Sequence, residues 1–328
     1  LMAPTTDGIL EGSVVGSFTN VGYRLRSGDW DENMDRMDER TVVVTGATSG
    51  IGFAAARQMA NAGARVVLVG RNQEKLDAAV AEIAEVADGG GAAGYRADLS
   101  SLDQVRRLAD DLLAGERRID VLINNASVLA PERTTSVDGF ELTLATNLLG
   151  TFLLTNLLIP RMVESAPARI ITVSSGGMYT EALDVSQIEM SAEDYGGSAA
   201  YARTKRAQVV LTDMWAERLA GTGVVAHSMH PGWVSTPGVA ASLPTFRRVM
   251  GPLVRNADPG ADTIVWLASD EDALDSSGEF WMDRRPRSKH RLKRTESGDA
   301  EAGALWDFLS EATGWTPPAG WPESRVPS

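Results

Sequence analysis

The 328-residue chain contains no cysteine. This excludes disulfides, thiolate metal sites and a cysteine nucleophile, and it fits a reducing compartment. Its three histidines, His227, His230 and His290, are too few and too scattered for a zinc site. Lys and Arg (31) are outnumbered by Asp and Glu (44), giving a net charge of -13, so the basic excess that a nucleic-acid backbone requires is missing. No apolar run approaches bilayer-spanning length, and the first residues lack the charged start and apolar centre of a signal peptide. These absences predict a cytoplasmic protein with neither a transmembrane segment nor a nucleic-acid partner. A content of 43% hydrophobic and 23% charged residues suffices for one sizeable α/β core or two small domains.

Residues 1–37, with glycines, a few aromatics and no sustained period, read as an N-terminal extension that leads into the acidic cluster ending at Asp38 and Glu39. From residue 41 short β-rich runs alternate with helical stretches: 41–44 then 52–62, 65–69 then 73–87, 94–97 then 101–115, 119–123 then 136–163, 169–173 then 199–221, and finally 224–228. Strands that alternate with helices predict a parallel sheet covered on both faces. Runs such as Val42-Val43-Val44 and Val66-Val67-Leu68-Val69 are apolar on both sides, as buried parallel strands are. Residues 38–285 therefore read as one domain. Residues 286–328 follow as a C-terminal segment, with the basic run 284–294 and a short helix at 302–309; that run reads as a solvated loop balancing nearby acids.

The densest chemical signal is Thr45-Gly-Ala-Thr-Ser-Gly-Ile-Gly52, between the first apolar run and a helix. Gly46 permits a tight turn, Gly50 and Gly52 keep side chains away, and the helix N-terminus points N–H groups at an anion. The second run ends Val69-Gly70-Arg71-Asn72 without the carboxylate that selects the NAD ribose. Arg71 stands there to pair with a 2′-phosphate, so NADP(H) is expected over NAD(H), with Thr48 and Ser49 assisting. Tyr201 and Lys205 are four residues apart and share a helix face. A phenol becomes an acid–base catalyst near neutrality only if a neighbouring cation favours its phenolate, and Lys205 supplies one.

Thr45-Gly-x-x-x-Gly-x-Gly52, Asn124-Asn-Ala126, Asn147, Ser174-Ser175, Tyr201-x-x-x-Lys205 and Pro231-Gly232 together resemble the short-chain dehydrogenase/reductase family in content, order and spacing, over residues 40–283. The resemblance implies a Rossmann-type, doubly wound, mainly parallel sheet of about seven strands with helices on both faces. It implies that Tyr201 is the general acid or base, that Lys205 holds the nicotinamide ribose and lowers the tyrosine pKa, and that Ser175 rather than Ser174 orients the carbonyl. Asn147 would anchor a water linked to Lys205. Gly46, Thr48, Ser49, Gly50, Ile51, Gly52 and Arg71 would meet the phosphates, Asp98, Leu99, Asn125 and Ala126 the adenosine, and Pro231, Gly232, Val234 and Thr236 the carboxamide. For Asn147 and the Asn-Asn-Ala run the competing reading is structural, as ties between strands.

Two departures stand out: Ser127 occupies a place usually held by glycine, and Ser175 and Tyr201 are 26 positions apart. That is about twice the spacing of the simplest members, with residues 180–198 as an insertion. This arrangement, with Tyr201-Ala-Arg-Thr-Lys-Arg-Ala-Gln208, resembles the retinol-dehydrogenase-like branch. Met178, Leu183, Ile188 and Met190, with Leu243, Pro244, Phe246, Val249 and Met250, either form an apolar lid for a lipophilic carbonyl or alcohol or simply pack on the core. The expected activity is hydride transfer between NADP(H) and such a small-molecule substrate. A non-catalytic NAD(P)-binding scaffold is the alternative, though it would be expected to lose Tyr201 or Lys205. A serine hydrolase is disfavoured because neither serine sits in a G-x-S-x-G elbow. A homo-oligomer is compatible with the sequence.

Overall fold

The computed structural model describes residues 14–28, 30, 34–235, 253–318 and 321–322. In chain order the strands are β1 (Thr41–Thr45), β2 (Arg65–Gly70), β3 (Ala92–Arg96), β4 (Val121–Asn124), β5 (Ala168–Val173), β6 (Val224–Met229), β7 (Phe280–Met282) and β8 (Arg285–Pro286). The longer helices are α1 (Asn20–Ser27), α2 (Gly50–Asn61), α3 (Gln73–Val86), α4 (Leu102–Gly115), α5 (Leu142–Glu164), α6 (Gly197–Arg218), α7 (Ala257–Ser269) and α8 (Asp299–Thr313). The eight strands form one sheet in the order β3-β2-β1-β4-β5-β6-β7-β8, parallel except for the short antiparallel β8. This is the Rossmann-type doubly wound architecture, with β8 added to the seven strands expected.

Pleating divides each central strand between two cores. Val43, Val67, Leu122 and Ile170 face α4, α5, α6 and α8 on one side. Val42, Val44, Leu68, Ile123 and Ile171 face α2, α3 and α7 on the other. A helix on each face leaves no strand side for water, which is why these runs need no polar alternation.

The helix expected at 136–163 begins later, at Leu142. The Val137-Asp138-Gly139 turn precedes it, with Gly139 at φ +90°, and a bridge joins Thr135 to Glu141. The Glu141 carboxylate then caps the helix by accepting the Thr143 and Leu144 N–H groups, each at 2.8 Å. Contrary to the expectation of no bilayer-length run, α5 is long and apolar enough to cross a membrane, yet 83% of its apolar window is buried inside the protein. Helices enclosed by protein on every face can be apolar all round.

Both ends of the described chain pack on this framework. The Phe18 carbonyl accepts the Trp233 N–H at 2.8 Å, and Arg26 pairs with buried Asp283 at 2.7 Å. At the other end Trp306 and Trp315 meet Phe152 edge to face. In the basic segment Lys289 pairs with Asp213 at 2.9 Å, and Arg284 with Asp262 at 2.7 Å.

Candidate active site

The glycine turn leads from the carboxyl end of β1 into α2. Gly46 and Gly50 have φ of +65° and +60°, in the left-handed region that glycine adopts freely. A Cβ on Gly52 would collide with the Asn125 amide and the Gly46 carbonyl. Ser49, the N-cap residue, makes no side-chain capping bond, and the first turn carries no acid. Its N–H groups therefore remain available to an anion, which is the fit a dinucleotide pyrophosphate requires. Thr48 sits beside Gly70 at the end of β2, and the next residue, Arg71, is exposed and makes no ion pair with any described residue.

The Asn-Asn-Ala run ties strands together. Asn125 donates through Nδ2 to the Thr45 carbonyl at 2.8 Å, and the Asn125 and Ala126 N–H groups both reach Thr45 Oγ1 at 3.0 Å. Asp98 Oδ1 accepts the Ser100 N–H and hydroxyl, while Leu99 is buried against α5. In the loop after β6, Gly232 has φ +79°, and the Pro231 carbonyl faces the Arg255 guanidinium. Val234 is buried, forms a bridge with Arg255 and approaches Gly260 beside Ile51. Thr236 lies outside the described residues, as do Leu243, Pro244, Phe246, Val249 and Met250.

Three hydroxyls converge next to this cradle. Tyr201 projects from the first turns of α6, and the hydroxyls of Ser175, after β5, and Ser127, after β4, reach its phenol. Burial pushes that phenol above its ordinary value and the two serines pull it partly back. Ser174 is engaged elsewhere, donating to the Lys205 carbonyl at 2.9 Å, so Ser175 is the serine that faces the tyrosine. One turn along α6, Lys205 is 1% exposed, and burial lowers its pKa from 10.5 to about 7. Its Nζ donates to the Val173 carbonyl at 2.8 Å and to Gln208 Oε1 at 3.0 Å, and lies 5.4 Å from the Tyr201 ring centroid. The expected depression of the tyrosine pKa by Lys205 is not present in this arrangement. The ammonium is directed at those two oxygens, over the ring face rather than at the phenol oxygen.

Asn147 lies in the π-helical turn Ala145–Leu149 that interrupts α5. Its side chain brackets the Val128 backbone, accepting the N–H at 2.8 Å and donating to the carbonyl at 3.0 Å, and also donates to Thr204 Oγ1 at 3.0 Å. It thus fixes the loop carrying Ser127 against α6. Its own carbonyl accepts Gln208 Nε2 at 2.7 Å. Gln208 was not singled out from the sequence as a site residue, although it stands one helical turn beyond Lys205 in the same motif.

The apolar residues in and just before the 180–198 insertion are committed to packing. Leu183 and Ile188 enter the core with Leu305 and Trp306, and Met178 is buried beside Phe18 and Tyr179. Met190 is 8% exposed, and its carbonyl is held by Arg133.

Residues 40–245 match the family described as short chain dehydrogenase. The chain belongs to the short-chain dehydrogenase/reductase family. It falls in the retinol-dehydrogenase-like branch and is an oxidoreductase with an NAD(P)-binding Rossmann fold. It is 38% identical over 298 residues to dehydrogenase/reductase SDR family member 12 of Bos taurus, covering 90% of this chain and 93% of that protein. With retinol dehydrogenase 13 of Homo sapiens it shares 33% identity over 289 residues, 85% of this chain and 86% of the relative. The solved structure of a 3-oxoacyl (acyl-carrier-protein) reductase from Agrobacterium tumefaciens C58, with NADP bound, superposes with a TM-score of 0.61 at 27% identity, covering 75% of this chain and 93% of that one.

Proposed function

We propose that this protein is an NADP(H)-dependent reductase or dehydrogenase of lipophilic carbonyl or alcohol substrates, with Tyr201 as its general acid or base. The observation that carries the reading is the meeting of Tyr201, Ser175 and Ser127 beside an open helix N-terminus, with Lys205 one turn away. When bound, NADP(H) supplies the hydride. Ser175 donates a hydrogen bond to the substrate carbonyl oxygen, and Tyr201 passes that oxygen its phenolic proton. The resulting phenolate is held by the serine hydroxyls, with the charged form of Lys205 over the ring face nearby. Asn147 keeps the Ser127 loop and α6 in register. In oxidation the phenolate takes the alcohol proton instead.

The preference for NADP(H) over NAD(H) is supported by Arg71, an exposed guanidinium with no ion pair among the described residues, where NAD-selective folds place a carboxylate. The name of the relative retinol dehydrogenase 13 supports a lipophilic substrate; the insertion does not, because its apolar side chains are consumed by packing. The cysteine-free composition supports a cytoplasmic location. The division into residues 1–37, 38–285 and 286–328 belongs to the same proposal.

Aldehydes and ketones offered with NADPH test the activity spectrophotometrically. Replacing Tyr201 with Phe is expected to leave NADPH affinity nearly unchanged and to cut turnover by at least ~10²-fold, the usual cost of a lost general acid. Unchanged turnover would remove Tyr201 from the mechanism.

A further inference from the structure

The structure points to Gln208 as the positioning residue for Lys205. Its side-chain amide bridges the Lys205 ammonium to the Asn147 carbonyl, filling with protein the place where a water was expected. The inference rests on the proposed roles of Tyr201 and Lys205 and concerns what holds the lysine ready for them.

Three observations converge on this residue. Gln208 is fully buried, so neither end of its amide has water as a substitute partner. Its two bonds have opposite polarity and settle its orientation, because only Oε1 can accept from the ammonium and only Nε2 can donate to the Asn147 carbonyl. Finally, the carbonyl it meets lies in the π turn of α5, where the ordinary i→i+4 ladder is interrupted. Two of the three ammonium donors are thereby spent on Val173 and Gln208, which leaves the third for the ligand side.

An amide oxygen on a buried ammonium favours its charged form. Tyr201 is the one titratable side chain in contact with Lys205 among the described residues. Burial lowers the lysine pKa to about 7, and no charged group of β5, α5 or the segment after β5 contributes to that shift. Without Gln208 the ammonium would keep only the Val173 carbonyl and lose its proton at lower pH. Because an amide holds its protons, Gln208 anchors the lysine without relaying protons from it.

The test is NADPH affinity as a function of pH, read by fluorescence, for the wild type, Gln208→Met and Gln208→Glu. Methionine has an unbranched chain of similar length and removes both hydrogen bonds. The pH above which NADPH binding weakens is expected to fall by about one unit in Gln208→Met, with roughly tenfold weaker binding just above neutrality, since a hydrogen bond to a charged group is worth about that much. In Gln208→Glu a carboxylate faces the same ammonium, and the break is expected to move to higher pH. The opposite signs keep the test decisive if the methionine variant does not fold, and a merely structural role would move neither break. Breaks that stay in place in the folded variants would overturn the proposal. Lys205→Met serves as the control: if it keeps the wild-type break, or if Tyr201→Phe turns over normally, the reading of the Tyr–Lys pair fails instead.

Discussion

Lys205 is buried with Tyr201 as its titratable neighbour, and that isolation makes it visible in stability as well as in chemistry. Its pKa in the folded protein, about 7, lies below the ordinary 10.5. Between those values the unfolded chain binds a proton that the folded protein does not, so stability rises with pH across the window; below it both states are protonated and the cost of burying the charge is borne in full. Urea unfolding at about pH 6 and about pH 9 is expected to show the wild type gaining stability relative to Lys205→Met, by at most ~1.4 kcal/mol per pH unit. A gap that does not change with pH would mean that Lys205 stays charged when folded. Arg71 carries a prediction of its own. Arg71→Ala is expected to weaken NADPH binding by roughly ten- to a hundredfold, the worth of a charge-assisted contact, and to leave NADH binding unaltered. Fluorescence titration with both cofactors checks it, and equal losses would make Arg71 a bystander. Introducing an acid at Gly70 is the poorer test, because a Cβ there would lie 2.5 Å from Thr48 Cγ2 and disturb the glycine turn itself.

At the scale of elements, the loop after β6 is tied to a segment far away in sequence. Arg255 donates to Asp283 Oδ1 at 2.5 Å and reaches the Ser17 and Thr19 carbonyls, while Arg26 of α1 reaches the other oxygen of Asp283 at 2.7 Å. Asp283 is 1% exposed with φ +55°, so one buried carboxylate organises two arginines, α1 and the Pro231–Gly232 turn. Removing a single partner from such a group leaves uncompensated buried charge. Asp283→Asn is expected to destabilise the fold by roughly 3–5 kcal/mol in chemical denaturation, and a loss below about 1 kcal/mol would mean that the arginines find water instead.

At the scale of the whole molecule, Leu183 and Ile188 of the insertion belong to the core, so chain-length preference is read from activity rather than from packing. If the substrate is lipophilic, each methylene added to a straight-chain aldehyde should contribute roughly 0.8 kcal/mol of binding until the cleft is filled. The measurement is kcat/KM over a homologous aldehyde series with NADPH, and a flat response would favour a small polar substrate. The extent to which the site was legible followed from distance along the chain. The glycine turn and the Tyr201–Lys205 pair are local, since one turn or one helix face holds each. The family resemblance already favours Ser175 over Ser174, and the physical reason comes with the structure, in which the Ser174 hydroxyl turns back onto the Lys205 carbonyl.

The sequence by itself determined the alternating elements, the doubly apolar strands and the phosphate-binding turn, because periodicity and backbone freedom are properties of neighbouring residues. Only the tertiary structure decided the rest. It set α5 against α6 so that Asn147, Gln208 and Lys205 form one chain of hydrogen bonds, and it docked α1 on Asp283. It also sent Leu183 and Ile188 into the core instead of a lid. Each of these joins residues far apart in sequence, whose partners are fixed by where the packed elements bring them and by the need to satisfy buried polar groups there.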